Sequence, residues 1–115
     1  MKHCSDFKYD LKIGVAKELE LLEIFETKTI EVKYDRKAHI TNNIFIEYES
    51  RNKPSGISKT KADYYCIVIK NIFHLIPTHL LKQKCRKYIG TDRDKLGGDN
   101  NTSKGILLPV TEIIS

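Results

Sequence analysis

The chain has 115 residues and 13.3 kDa, with 40% hydrophobic residues, six Tyr, four Phe and no Trp. That size bounds a single domain over residues 1–115 with a modest core. No apolar run approaches the roughly 20 residues of a membrane-spanning helix, and Met1 to Asp6 lacks the apolar centre of a secretory signal. Cys4, Cys66 and Cys85 lie far apart without a C-x-x-C pair. This spacing argues for a reducing, cytoplasmic setting and against a disulfide framework or a zinc finger.

The formal net charge of +5 is unevenly distributed. Residues 1–50 carry 8 basic and 10 acidic side chains, and residues 51–115 carry 12 and 5. A basic half suits a polyanion, because Lys and Arg neutralise phosphates and release counterions. Acids beside it repel phosphate unless a metal intervenes.

In chain order, residues 14–26 predict a helix, with Val15, Leu19, Leu22 and Phe25 at helical spacing. Residues 29–35 alternate as a strand, with Ile30, Val32 and Tyr34 on the expected core face. Arg36 to Asn43 reads as a turn, and Ile44 to Glu49 as a second strand that is apolar at Ile44, Ile46 and Tyr48. The two strands are expected to form an antiparallel hairpin. Pro54-Ser55-Gly56 marks a turn, and residues 57–62 a short helical segment. Tyr64 to Ile69 reads as a strand buried on both faces, paired with Ile72 to Ile76 across Lys70-Asn71. His79 to Lys87 reads as a helix, residues 90–105 as a Gly-rich loop, and Ile106 to Val110 as a last strand. The order predicts an α+β fold with a mixed or antiparallel sheet flanked by helices.

Parity within the expected hairpin sets Glu31, Lys33 and Asp35 on the face opposite Ile30, Val32 and Tyr34, and sets Glu47 and Glu49 on the matching face of its partner. Like charges facing across paired strands are destabilising. Lys33 supplies one counter-charge, and a divalent cation held by hard oxygen ligands, Mg²⁺ or Mn²⁺, would supply the rest. On the first helix, at about 100° per residue, Glu18 falls inside the arc of Val15, Leu22 and Phe25. A carboxylate there costs free energy unless it is paired or metal-bound. Glu18 is therefore expected to aim at the same sheet. The plainer reading is an amphipathic hairpin whose charges face water and a Glu18 whose carboxylate reaches solvent along its stem.

Glu31-Val32-Lys33 has the acid-x-Lys form of the PD-(D/E)XK nuclease superfamily. With Ile-Glu-Val-Lys-Tyr-Asp come Thr-Asn-Asn-Ile-Phe-Ile-Glu-Tyr-Glu-Ser, Pro-Ser-Gly-Ile, Lys-Ala-Asp-Tyr-Tyr and the late Gly-Gly-Asp-Asn-Asn-Thr-Ser-Lys-Gly before Leu-Pro. This ordered set, over roughly residues 10–110, resembles small phage-type members of that superfamily. The resemblance implies a restriction-endonuclease-like domain that hydrolyses DNA phosphodiesters with Mg²⁺, inside the host cell if phage-encoded. It also implies acids that hold the metal (Glu31, Asp35 and Glu47), a Lys that positions the attacking water (Lys33), and a helix acid (Glu18). The family's first acid normally precedes E-x-K on an adjacent strand, whereas here a helix precedes Glu31 and Asp10 precedes that helix. Two registers follow. Either Glu31-x-Lys33 is the pair, with Asp35 or Glu47 as the other acid, or Asp35 is the lone acid and Glu47-x-Glu49 the pair.

Arg51, Lys53, Lys59 and Lys61 are candidates to follow a DNA strand, Ser55 to meet a phosphate in the Pro-Ser-Gly turn, and Lys104 to contact substrate from the late loop; the plain alternative is a solvated face and an ordinary turn. A homodimer suits so small a footprint, since cutting two strands or a branched junction needs two sites. Two other classes are compatible with the residues. A non-catalytic nucleic-acid-binding module on the same fold would bind without metal and with strong salt dependence. A protein-interaction subunit would show no DNA affinity at physiological salt.

Overall fold

The computed structural model describes residues 17–114. Helix α1 (17–27) leads into β1 (Ile30–Tyr34), a one-turn helix α2 (Ala38–Thr41), β2 (Asn43–Ser50) and the short β3 (Lys53–Pro54). A 3₁₀ turn at Gly56–Ser58 precedes β4 (Tyr64–Ile69), β5 (Ile72–Pro77) and α3 (Thr78–Arg86). The chain closes with β6 (Asp94–Gly97), a second 3₁₀ turn (Asp99–Asn101), β7 (Ser103–Pro109) and α4 (Thr111–Ile114).

The strands form two sheets, one mixed and one antiparallel, in an α+β arrangement. The first has the order β1-β4-β5, with β1 parallel to β4 and β5 antiparallel to it. The second has the order β3-β2-β7-β6 and is antiparallel throughout. One apolar cluster joins them: Tyr65, Ile67 and Ile69 from β4 meet Ile44 and Ile46 from β2 and Ile106 and Leu108 from β7, with Leu81 and Cys85 of α3. Among the described residues no helix is long and apolar enough to cross a membrane.

The expected β1–β2 hairpin does not form. β1 pairs with β4 instead, from Ile30 beside Tyr64 to Tyr34 beside Val68. A clasp at the strand starts fixes this register. The backbone N–H and hydroxyl of Thr29 both donate to Asp63 Oδ2, at 3.0 and 3.1 Å, and Asp63 and Tyr64 donate their N–H groups to the Thr29 carbonyl. Arg36 to Asn43 is not a simple turn either. Ala38–Thr41 is a helical turn closed by Asn42 at φ 62, and Ala38 anchors it in the core.

The faces of β1 are inverted relative to expectation. Val32 and Tyr34 are exposed, whereas Lys33 is half-buried. On β2 the expected face holds: Ile44 and Ile46 are buried and Tyr48 packs against the core. The β4–β5 hairpin forms as expected, with Lys70 and Asn71 both at positive φ in the two-residue turn. Residues 90–105 are not one long loop, because β6 and the first part of β7 lie within them. Gly97 and Gly105 leave room for the Phe45 ring, and a Cβ at either would stand 2.8 or 2.5 Å from its Cζ. The glycines that read as loop signals are thus the seat of an aromatic ring.

The described part of the first helix also departs from expectation. Leu19, Leu22 and Phe25 are all more than half exposed, so they do not form a core stripe. Val15 and Asp10 lie outside the described residues, as does Cys4.

Candidate active site

Glu31 and Lys33 alternate along β1 and so share a face, beside Tyr65 and Ile67 of β4. That face looks onto a cleft of ≈ 200 Å³ lined also by Ile46 and Glu47 of β2 and by Gly56 and Ile57 of the 3₁₀ turn. Two carboxylates and an ammonium from different sheets thus line one cleft, by a route unlike the hairpin the sequence suggests.

Glu47 lines the cleft from β2, which is irregular just beyond it. Glu47 lies opposite Gly105 and Glu49 opposite Lys104, so Tyr48 is one extra residue in β2. Such a bulge locally disrupts the ladder and bends the strand. Ile46 and Glu47, consecutive in sequence, line the same cleft, and Tyr48 returns to the core side. The Tyr48 hydroxyl donates to Asp94 Oδ1 at 2.6 Å, which ties the bulge to β6.

Hydroxyls hold both carboxylates. Ser55 donates to Glu47 Oε2 at 2.8 Å and Thr60 donates to Glu31 Oε1 at 2.8 Å. Gly56, at φ +50, lies so close to the Glu47 backbone that a Cβ would stand 2.3 Å from its carbonyl oxygen. Burial, followed by the negative charge of Glu31, pushes the Tyr65 hydroxyl up to about 12. Tyr65 therefore keeps its proton beside Glu31 and can donate a hydrogen bond.

The other candidate residues lie elsewhere. Asp35, half-buried just past β1, accepts the Lys37 N–H at 2.9 Å and does not line the cleft. Glu49 faces Lys104, with 3.5 Å between Oε2 and Nζ, so Lys104 is engaged with a carboxylate. Glu18 is exposed on α1 and not aimed at the sheet, because the described helix does not bury its apolar stripe. Arg51, Lys53, Lys59 and Lys61 are exposed, and all belong to the segment that also supplies Gly56 and Ile57 to the cleft wall. Ser55 is the exception among these nucleic-acid candidates, since its hydroxyl is turned onto Glu47.

Tyr65, Thr60 and Gly56 are the site residues that sequence reasoning missed. The first two become visible only once β1 is paired with β4, while in sequence Gly56 is part of the Pro-Ser-Gly turn, with no sign of its contact with Glu47. Beyond Ile57 lies a second cavity of ≈ 280 Å³, which carries Lys82 and Arg86 of α3 and no carboxylate.

Among the described residues, no three His, Cys, Asp or Glu side chains form a metal-holding group. Two carboxylates on one cleft still fit Mg²⁺, which keeps several waters and takes one or two protein carboxylates together with substrate phosphate oxygens. No protein-family model, curated protein or solved structure matches the chain.

Proposed function

We propose that this chain is a metal-dependent DNA endonuclease of the PD-(D/E)XK type, on a restriction-endonuclease-like fold. The observation that carries this reading is the convergence of Glu31, Lys33 and Glu47 on one cleft. An E-x-K pair on one strand face and an acid from a second sheet provide the charge pattern that phosphodiester hydrolysis needs. Glu31 and Glu47 would hold Mg²⁺ or Mn²⁺, which when bound stabilises charge on the phosphoryl oxygens and lowers the pKa of a bound water.

The remaining roles belong to the chain's own side chains. Lys33 Nζ orients the attacking water by hydrogen bonding and places a positive charge where negative charge develops. Ser55 and Thr60 fix the two carboxylates. The Tyr65 hydroxyl keeps its proton and donates to a phosphate oxygen. Arg51, Lys53, Lys59 and Lys61 neutralise the substrate backbone along the cleft wall, with Lys82 and Arg86 beyond Ile57.

The Glu31-x-Lys33 register is favoured over Glu47-x-Glu49 because Glu49 is turned to Lys104 and does not line the cleft. The test is cutting of supercoiled plasmid and a four-way junction with Mg²⁺, Mn²⁺ or EDTA, by the wild type and by Glu31→Gln and Glu49→Gln. Loss with Glu31→Gln alone supports this register, and loss with Glu49→Gln alone supports the other. Metal-independent, salt-sensitive binding without any cutting would instead identify a nucleic-acid-binding module.

A further inference from the structure

The face of the first sheet that points away from the cleft is apolar. Strand register fixes its membership: Val32, Cys66 and Leu75 form one row across β1, β4 and β5, and Tyr34, Val68 and Phe73 form the next. Cys66 and Val68, in the middle strand, are buried but stand outside the core cluster. Their flanking neighbours are open: Val32 is 66% exposed, Tyr34 57% and Phe73 72%. The same chain carries a second unpartnered apolar surface among its described residues, the Leu19, Leu22 and Phe25 stripe of α1. Only Lys28 and Thr29 separate α1 from β1.

We propose that a second copy of this chain covers this face, with α1 of each copy lying on the outer sheet face of the other. Two features select this occupant. The first is area. Six side chains, three on the sheet and three on the helix, are each more than half exposed. Together they offer on the order of 600–800 Å² of apolar surface per copy, close to the ≈ 800 Å² per partner of a standard stable interface.

The second feature is charge. Residues 17–27 carry Glu18, Glu20, Glu23 and Glu26 against Lys17 alone. Exposed Arg36 and Lys37 follow Tyr34 after the half-buried Asp35, and exposed Lys70 follows Ile69, so the end of the sheet where Tyr34 and Phe73 lie carries three cations and one acid. A net acidic helix rim thus meets a net basic sheet rim. A reciprocal exchange of this kind is isologous and closes as a dimer. The candidate cleft lies on the opposite face of the same sheet, so its two copies would open away from the interface. That last consequence alone rests on the nuclease reading.

Light scattering on the purified full chain, without nucleic acid, tests the proposal. The wild type is expected at twice the 13.3 kDa chain mass. Phe73→Glu and Phe25→Glu are each expected to raise the dissociation constant at least about 30-fold, the effect of losing a well-buried anchor, with unchanged far-UV circular dichroism. Phe25→Ser, a milder change on an exposed helix position, is expected to weaken the dimer in the same direction. A wild-type mass of 13.3 kDa at every concentration would show that no second copy covers the face, and would overturn the proposal. So would a dimer that all three variants leave intact. A dimer with these properties that cuts no DNA would keep this inference and discard the nuclease reading.

Discussion

Ser55 donates its hydroxyl to Glu47 Oε2 at 2.8 Å, so the turn that reads as a phosphate cradle is instead a brace for a carboxylate. A residue that orients a functional side chain typically changes activity 10–100-fold when removed. Ser55→Ala is therefore expected to slow cleavage about 10-fold or more while leaving DNA affinity at its wild-type value. Steady-state cutting beside a filter-binding titration separates the two. Weaker binding with an unchanged turnover rate would return Ser55 to the role of phosphate contact.

Gly56 is confined by the same relationship. It combines φ +50 with a position where a Cβ would meet the Glu47 carbonyl oxygen at 2.3 Å. Gly56→Ala must strain the backbone or push β2 away, at a cost of roughly 2–4 kcal/mol. Urea unfolding measures it, and a loss within ±0.5 kcal/mol, as expected of an unconstrained surface position, would contradict the packing.

Tyr48 is the extra residue of the bulge, and its hydrogen bond to Asp94, with burial second, pushes its hydroxyl up to about 12. Tyr48→Phe removes a hydrogen bond to a charged group, worth about 1–2 kcal/mol here. The folded-state pKa lies above the unfolded value near 10, so this contribution is present below pH 10 and fades as pH rises towards 12. The stability gap between wild type and Tyr48→Phe should accordingly narrow at high pH. A gap that stays constant from neutral pH to beyond pH 10 would mean that the hydroxyl is not coupled to Asp94.

Glu112 ties α4 to the segment just after α3 by accepting from Lys87 and from the Tyr88 hydroxyl, and these bonds hold its carboxyl below the usual 4.5. For a depressed carboxylate the stability is present above the unfolded pKa and disappears as pH falls through the folded one. Glu112→Gln should cost roughly 1 kcal/mol or less at neutral pH, in the range of partly exposed ion pairs. That cost should vanish in strong acid. Melting temperatures of the two proteins measured across the acid range check both parts.

The sequence makes some of this molecule legible and hides the rest for definite reasons. The β4–β5 hairpin is readable because six successive strand residues and a two-residue turn are local signals. The inward face of β2 is readable because Ile44 and Ile46 alternate into a core that the strand meets on one side. β1 misleads because alternation identifies two faces without saying which one is buried. Its apolar face lies outward, and its Glu31–Lys33 face lines the cleft. β6 is hidden because Gly97 and Gly105 serve the Phe45 ring, a contact between segments far apart in sequence. The sequence groups Glu31, Lys33, Asp35, Glu47 and Glu49 through a hairpin that does not form, and of these Glu31, Lys33 and Glu47 line the cleft. Tyr65 and Thr60 could not be singled out without the parallel β1–β4 register.

The most direct test of the central claim is the cleavage rate of a four-way junction in Mg²⁺ by wild type, Lys33→Ala and Glu47→Ala, with junction affinity measured in parallel in EDTA. Both variants should bind like the wild type and cut at least about 100-fold more slowly, as expected when a group that stabilises transition-state charge is removed. Cutting by both variants at the wild-type rate would show that the cleft is not the active centre.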